Sequence, residues 1–426
     1  MGVSPFFAGR EYDASRDKNT MTYLQFICRH PKRLGLGFGL TLFGSFGQTY
    51  FISLFGKEFR TAFDLSVAGF GTVYSLATLL SGFSVLYFGA LIDRFSLPVY
   101  LTGVISAFAL ATLGLGLLPL RSVIFLFVVI YLLRLCGQGL MTHASSTTMA
   151  RDFTKDRGKA ISFASMGHAA GEAVFPVLAV AMMLALGWRT VWLGVGLMLL
   201  LMLPLLLWLA HSRNSEGAMM DPAGRAGTAK DWTRSQVLRD PAFYLLLVAM
   251  VAPPFINTGF FFHQVPLVEA KDWTRPLFAS AFGSYAVATV VGILVAGRLV
   301  DRLGARRVLI FAMLPYALGL IIAGSFDQPV VAHLFMALAG ISTGLFYPCA
   351  TAVWAELYGL RHLGAIRALT SGMMVFSTSL APALMGWLLD GGVGFSALFF
   401  GCALWAVLTV PAVLASNAIS GTRRLA

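Results

Sequence analysis

The chain has 426 residues, 58% hydrophobic and 12% charged, with a mean hydropathy of +0.78 and a formal charge of +12. A water-soluble globule cannot hide that much apolar side chain, so the composition excludes an ordinary soluble domain. The basic excess falls in short loops rather than along one soluble face, which argues against a nucleic-acid binder.

Charged residues cluster and leave runs of roughly 20 apolar residues, the length a helix needs to cross about 30 Å of hydrocarbon. The runs are continuous and do not alternate, so helices are expected and a β-barrel is not. Residues 1–33 read as a polar tail. The first apolar run begins near Leu34 and is too long for a signal-peptide core. Six helices follow: α1 at 34–56, α2 at 69–90, α3 at 98–119, α4 at 122–149, α5 at 159–185 and α6 at 189–210. Residues 211–240, rich in Ser, Gly, Arg and Asp, read as a linker. Then come α7 at 241–268, α8 at 276–297, α9 at 306–325, α10 at 328–355, α11 at 364–389 and α12 at 394–415. The expected fold is an all-α membrane protein of twelve transmembrane helices in two pseudo-symmetric six-helix halves, 34–210 and 241–416, with a tail at 417–426.

Lys and Arg set the orientation, because the loops on the cytoplasmic side carry the excess. Of the 31 basic residues, Lys57, Arg60, Arg121, Arg189, Lys271 and Arg275 fall on one side and Arg134 within the membrane, while the rest share the side of the termini. Both termini are therefore expected in the cytoplasm. Cys28, Cys136, Cys349 and Cys402 are far apart and suggest neither a disulfide framework nor a metal site. An internal repeat supports the two halves. Gly89-Ala-Leu-Ile-Asp93-Arg94 after α2 returns as Gly297-Arg-Leu-Val-Asp301-Arg302 after α8. Gly158 and Pro176 of α5 return in register as Gly364 and Pro382 of α11, and Gly139 of α4 as Gly344 of α10, all about 206 residues on.

These residues resemble the major facilitator superfamily, whose α2–α3 and α8–α9 loops carry Gly-x-x-x-Asp-Arg-x-Gly-Arg-Arg. The second copy is nearly complete, ending Leu-Gly304-Ala-Arg306-Arg307. The first departs after Arg94, reading Phe-Ser-Leu-Pro. Arg134-Leu-Cys-Gly137-Gln-Gly139 of α4 is similar to the family's Arg-x-x-x-Gly-x-Gly theme, one residue shorter. Within the superfamily, the segment from Ala150 through Arg157-Gly158-Lys159, with Gly187-Trp188-Arg189 later, looks like the monocarboxylate and oxalate/formate branch, although α8 holds no buried Arg of the kind several such carriers use. The resemblance implies secondary transport by alternating access, with α1, α4, α7 and α10 lining the cavity. It also implies that Asp93, Arg94, Asp301 and Arg302 act as gate latches whose carboxylates approach the N-termini of α11 and α5, with Arg367 as a further partner.

Charges inside a bilayer are costly and are functional candidates by default. Counting at 1.5 Å per residue puts Arg134 and Glu172 both roughly 20 Å from the terminal face. His168 lies one turn before Glu172 on the same helix face. Glu172 is the expected proton acceptor, with His168 as relay. Arg134 is the expected attractor of an anion, or else a static ion-pair partner of Glu172. Gln48 and Tyr50 of α1, Asn257 of α7 and Tyr347 of α10 are expected substrate contacts, each also readable as a polar group satisfied by a neighbouring helix. Pro253-Pro254 is expected to interrupt α7 near mid-membrane, and His263 to lie near an external gate.

The expected cargo is a small organic anion, a mono- or dicarboxylate, moved by proton symport or exchange. The alternatives are proton-driven efflux of amphipathic compounds and a non-transporting membrane sensor or assembly factor. No Gly-x-x-x-x-Gly-Lys loop is present, and neither an enzyme, a cofactor, a metal nor a nucleic-acid partner is expected. The partners expected are a small-molecule substrate, a coupling proton and the lipid bilayer, around a monomer. The predominance of Arg over Lys suits a bacterial chain of the cell inner membrane.

Overall fold

The computed structural model describes residues 23–118, 121–153, 156–211, 232–359 and 361–425. Residues 1–22 of the tail and 212–231 of the linker lie outside the described residues. Eleven helices among the described residues are long and apolar enough to cross a membrane. In chain order these are α2 Val67–Asp93, α3 Leu97–Leu117, α4 Val123–Asp152, α5 Arg157–Leu186, α6 Trp188–His211, α7 Pro241–Phe262, α8 Arg275–Leu303, α9 Ala305–Ser325, α10 Val330–Tyr358, α11 Leu363–Asp390 and α12 Phe395–Ser420. Each lies within a few residues of its expected position, because bilayer thickness dictates the length of an apolar run.

The twelfth span is the first in the chain, and it is broken. α1 runs from 31 to 63 as Pro31–Gly44, a 3-10 turn Ser45–Gly47, Thr49–Ile52, a second 3-10 turn Ser53–Phe55 and Gly56–Phe63. Gln48 between them is extended, with φ −83° and ψ 155°. The break frees backbone groups in the membrane interior, tolerated only where protein or a water-filled void meets them. α4 also departs from regular geometry, passing through a π-helical segment at Arg134–Met141. Such segments bulge the helix and turn its side chains.

α7 corrects an expectation. Pro253 and Pro254 lie inside an uninterrupted helix, and the Ser377 hydroxyl of α11 donates to the carbonyl of Val251 at 2.8 Å beside them. The chain turns instead at His263, before a short helix Gln264–Ala270.

Small residues seat the helices, as expected where apolar burial gives helices no preference over lipid. A Cβ on Gly344 of α10 would lie 2.3 Å from the Thr289 carbonyl oxygen of α8, and one on Gly47 of α1 would lie 2.1 Å from that of Leu133 in α4. α1 packs on α4 and α5, α3 on α6, α7 on α11 and α12, and α9 on α10 and α12. Two seams join the halves, α2 against α11 and α5 against α8.

Hydrogen bonds and ion pairs between the halves gather at the end remote from the termini, here the far end. Ser53 donates to the Phe261 carbonyl oxygen at 2.6 Å, and Gln264 to the Tyr50 carbonyl oxygen at 2.8 Å. Asp390 accepts from the Ala68 amide at 2.9 Å, and Ser75 from the Ala383 amide at 3.0 Å. Lys57 pairs with Glu269 at 2.8 Å and Arg275 with Glu58 at 2.7 Å. The halves are therefore sealed there.

Candidate functional site

The break in α1 lies between α4 and α5, and it divides the two buried charges that sequence reasoning had set at one depth. On the α5 side, His168 Nε2 lies 3.3 Å from Glu172 Oε1, the one-turn spacing expected. The Glu172 side chain is 9% exposed and that of His168 is 40% exposed. His168 also stands beside Tyr50 of α1, their rings 6.2 Å apart, and Tyr50 is 5.6 Å from Phe282 of α8. The imidazole thus keeps accessible surface beside a buried carboxylate. Tyr50, Tyr285 of α8 and Tyr347 of α10 lie within electrostatic reach of Glu172, so the site straddles both halves.

The far wall is a polar cluster. Asn257 Nδ2 of α7 and the Tyr285 hydroxyl both donate to Thr343 Oγ1 of α10 at 3.2 Å. Asn257 Oδ1 is buried without a hydrogen-bond partner. The Tyr50 hydroxyl, beside that of Ser45, is likewise buried outside hydrogen-bonding geometry. Unmet buried polar groups cost about 1–3 kcal/mol each, so both atoms favour a guest that bonds to them. Tyr347 is 40% exposed. Gln48 is half-buried at the break itself.

Arg134 lies on the other side of the break. It is 2% exposed, and its Nη1 donates to the Gly47 carbonyl oxygen at 3.1 Å and to Thr49 Oγ1 at 3.3 Å. Its guanidinium rests over the Tyr74 ring at 5.3 Å, and the Tyr74 hydroxyl donates to the same Thr49 hydroxyl at 2.8 Å. Arg134 and Glu172 form no ion pair, and the static-pair reading fails. The cation instead caps a carbonyl freed where the first segment of α1 ends, the end of a helix dipole that favours positive charge.

The gate residues are at the terminal end. Asp93 pairs with Arg151 of α4, within its own half. Arg94, Asp301, Arg302 and Arg367 are exposed. Glu356 caps the start of α9, accepting from the Ala305 amide at 2.9 Å.

The family model described as Major Facilitator Superfamily matches residues 36–281 and 255–419. The chain belongs to the major facilitator superfamily. As a major facilitator it is a multi-pass membrane protein of a transporter family. It is similar to an uncharacterized MFS-type transporter of Mycobacterium tuberculosis, 31% identical over 110 residues, or 26% of this chain and 16% of that protein. It is also similar to a multidrug resistance protein B homolog of the same organism, 27% identical over 126 residues, or 30% of this chain and 23% of that one. The matched stretches thus span under a quarter of those relatives. Among solved structures, a bacterial homolog of the human lysosomal transporter Spinster superposes with a TM-score of 0.67 in an inward-facing, occupied conformation, at 16% identity over 95% of this chain and 97% of that one. The same protein, inward-facing and unoccupied, gives 0.62 at 16% identity over 94% and 97%.

Within this major facilitator, sequence reasoning found Glu172, His168, Tyr50, Asn257 and Tyr347, which the fold brings together. It missed Tyr285 and Thr343. Their signal was a hydroxyl on each of α8 and α10 at mid-depth, a pattern too common in such helices to single out.

Proposed function

We propose that this major facilitator exchanges protons for amphipathic compounds by alternating access, with Glu172 carrying the proton and His168 holding it in place. The observation that carries this reading is the His168–Glu172 pair at 3.3 Å, a buried carboxylate beside an imidazole that keeps accessible surface. A lone carboxylate in the membrane costs about 3 kcal/mol, so it binds a proton, a cationic group or an imidazolium. Beside it Tyr50, Phe282, Phe261 and Tyr285 pack on one another in edge and tilted contact, all buried. A flat apolar body that parts these rings meets aromatic faces, and the Asn257 and Tyr50 oxygens offer bonds to one or two polar groups.

The cycle follows from the geometry. With the far end sealed, cargo enters from the terminal side and displaces the proton from Glu172. The seal then opens, cargo leaves, and a proton from the far side neutralises Glu172 for the return. Asp93, Arg94, Asp301, Arg302 and Arg367 form the latches that close the terminal end in the opposite state. Both termini lie in the cytoplasm of a cell whose inner membrane holds the chain. The multidrug resistance relative and the inward-facing Spinster homolog support this reading.

A second reading, transport of a mono- or dicarboxylate, is favoured by Arg134, whose Nε is buried without an acceptor among the described residues. Proteoliposomes with an imposed pH gradient separate the two. Accumulation of ethidium or tetraphenylphosphonium that is lost in Glu172→Gln supports the first. Accumulation of radiolabelled organic acids that is lost in Arg134→Gln, with no cation transport, overturns it.

A further inference from the structure

The far-end seal contains a titratable group that the central site does not use. His263 follows α7, is 1% exposed, and has Nε2 at 2.9 Å from the Pro382 carbonyl oxygen of α11. A carbonyl only accepts, so Nε2 carries the hydrogen, and in the neutral ring Nδ1 holds the lone pair. That same carbonyl oxygen is the atom against which Gly71 of α2 is packed, and the next amide, Ala383, donates to Ser75 of α2. His263 therefore grips the one turn of α11 on which the other half closes.

The surroundings decide what a second proton would do. The charged groups acting on the ring are Arg60, at the end of α1, and Asp390, at the end of α11. Neither bonds to it, and one Asp390 oxygen is already committed to the Ala68 amide. Toward α2 the ring meets aromatic side chains. His263 stands edge-on to Phe262, which stacks on Phe70 and lies 4.5 Å from Tyr74.

We infer that His263 is the proton sensor of the far-end seal: neutral while the halves are closed there, protonated once that end opens, and in the protonated form opposed to re-closure. Sealing an imidazolium costs free energy because it loses water and gains no contacting counter-ion, while Arg60 repels it. In water an imidazole titrates near pH 6.5. The seal is strongest above that range and weakens as the far compartment acidifies through it. This goes beyond the central-site reading, since it needs the far end to open but does not need Glu172 to carry a proton.

The test follows the seal directly. Arg121 and Gln328 are exposed at the far end on opposite halves. Nitroxides at Arg121→Cys and Gln328→Cys report its width, with exposed Cys28 changed to Ser and the other three cysteines buried. In nanodiscs the far-end-open fraction rises at least about threefold between pH 8 and pH 5, across the range in which imidazole titrates. His263→Gln, which keeps an N–H for the Pro382 carbonyl, removes that rise. Arg60→Gln, which leaves His263 unchanged and lifts the repulsion, makes it smaller. In a Glu172→Gln background, where the central carboxyl no longer titrates, His263→Gln still removes the rise that remains, which separates this inference from the central-site reading. No rise in the parent, or an undiminished rise in His263→Gln, overturns it. So does a rise unchanged by Arg60→Gln, or one that His263→Gln leaves undiminished in the Glu172→Gln background.

Discussion

Gly71→Ala sets helix stability against closure. Residue 71 lies in the first turns of α2, and a Cβ there would stand 2.4 Å from the Pro382 carbonyl oxygen and 2.9 Å from its carbon, across the seam between halves. Ordinary contacts lie near 3.5 Å, so the helices must part by about 1 Å. The obstacle is backbone, which cannot swing aside as a side chain could. Overpacking of this kind costs about 1–3 kcal/mol, or roughly a 5- to 150-fold rise in the open-to-sealed ratio. Within α2 the same change favours the helix by up to about 1 kcal/mol. Gly71→Ala is therefore expected to express and melt like the parent while its far-end label distance shifts to the open population. Gly386→Ala, whose Cβ would lie 3.0 Å from the Ala68 Cα, shifts it the same way by less. A parent-like distance distribution in well-folded Gly71→Ala would refute the reasoning, because the halves would then not meet on this turn.

The two ion pairs across the far end should differ in worth. Lys57 and Glu269 are 56% and 46% exposed and contribute at most about 1 kcal/mol, so Glu269→Gln changes the open fraction less than Glu58→Gln, which strips Arg275 of a partner where both side chains are about one-fifth exposed. Gly47→Ala, by contrast, drives a Cβ to 2.1 Å from the Leu133 carbonyl oxygen inside one half. It is expected to cost about 1–3 kcal/mol and lower the melting temperature seen by fluorescence-detected size exclusion, whatever the state of the seal. At the terminal end, the His30 ring packs against Phe26 and Phe153, and burial, then Arg33 and Arg29, push its pKa down. A depressed histidine favours the docked, neutral form above the free value near 6.5 and loses that advantage as pH falls below it. Hydrogen exchange of residues 23–30 should accelerate as pH falls through that range, relative to the intrinsic rate, and His30→Phe should remove the effect.

The number and place of the helices could be read from apolar run lengths because hydrocarbon thickness sets them. His168 and Glu172 could be paired because four residues make one turn. What failed depends on azimuth and packing. Depth counting put Arg134 and Glu172 at one level, but it says nothing of what lies between two helices, and the broken part of α1 lies there. The break arises where Gly44 and Gly47 let α1 press on Gly137 of α4. Glycines are frequent in such helices, and the adjacent prolines of α7 gave a stronger but misleading signal. The π segment beginning at Arg134 shifts the facing of α4 in a way no regular period anticipates. Asp93 was expected to approach the start of α11 when the terminal end is closed; in this far-end-sealed state it pairs with Arg151 inside its own half.

Proton release on cargo binding tests the central claim most directly. In weakly buffered detergent solution, saturating purified protein with a transported cation should expel about one proton per molecule bound, since cargo and proton compete for one carboxylate. Glu172→Gln should still bind the cation through the aromatic walls, more weakly, and release none. Equal release from both proteins would contradict the account.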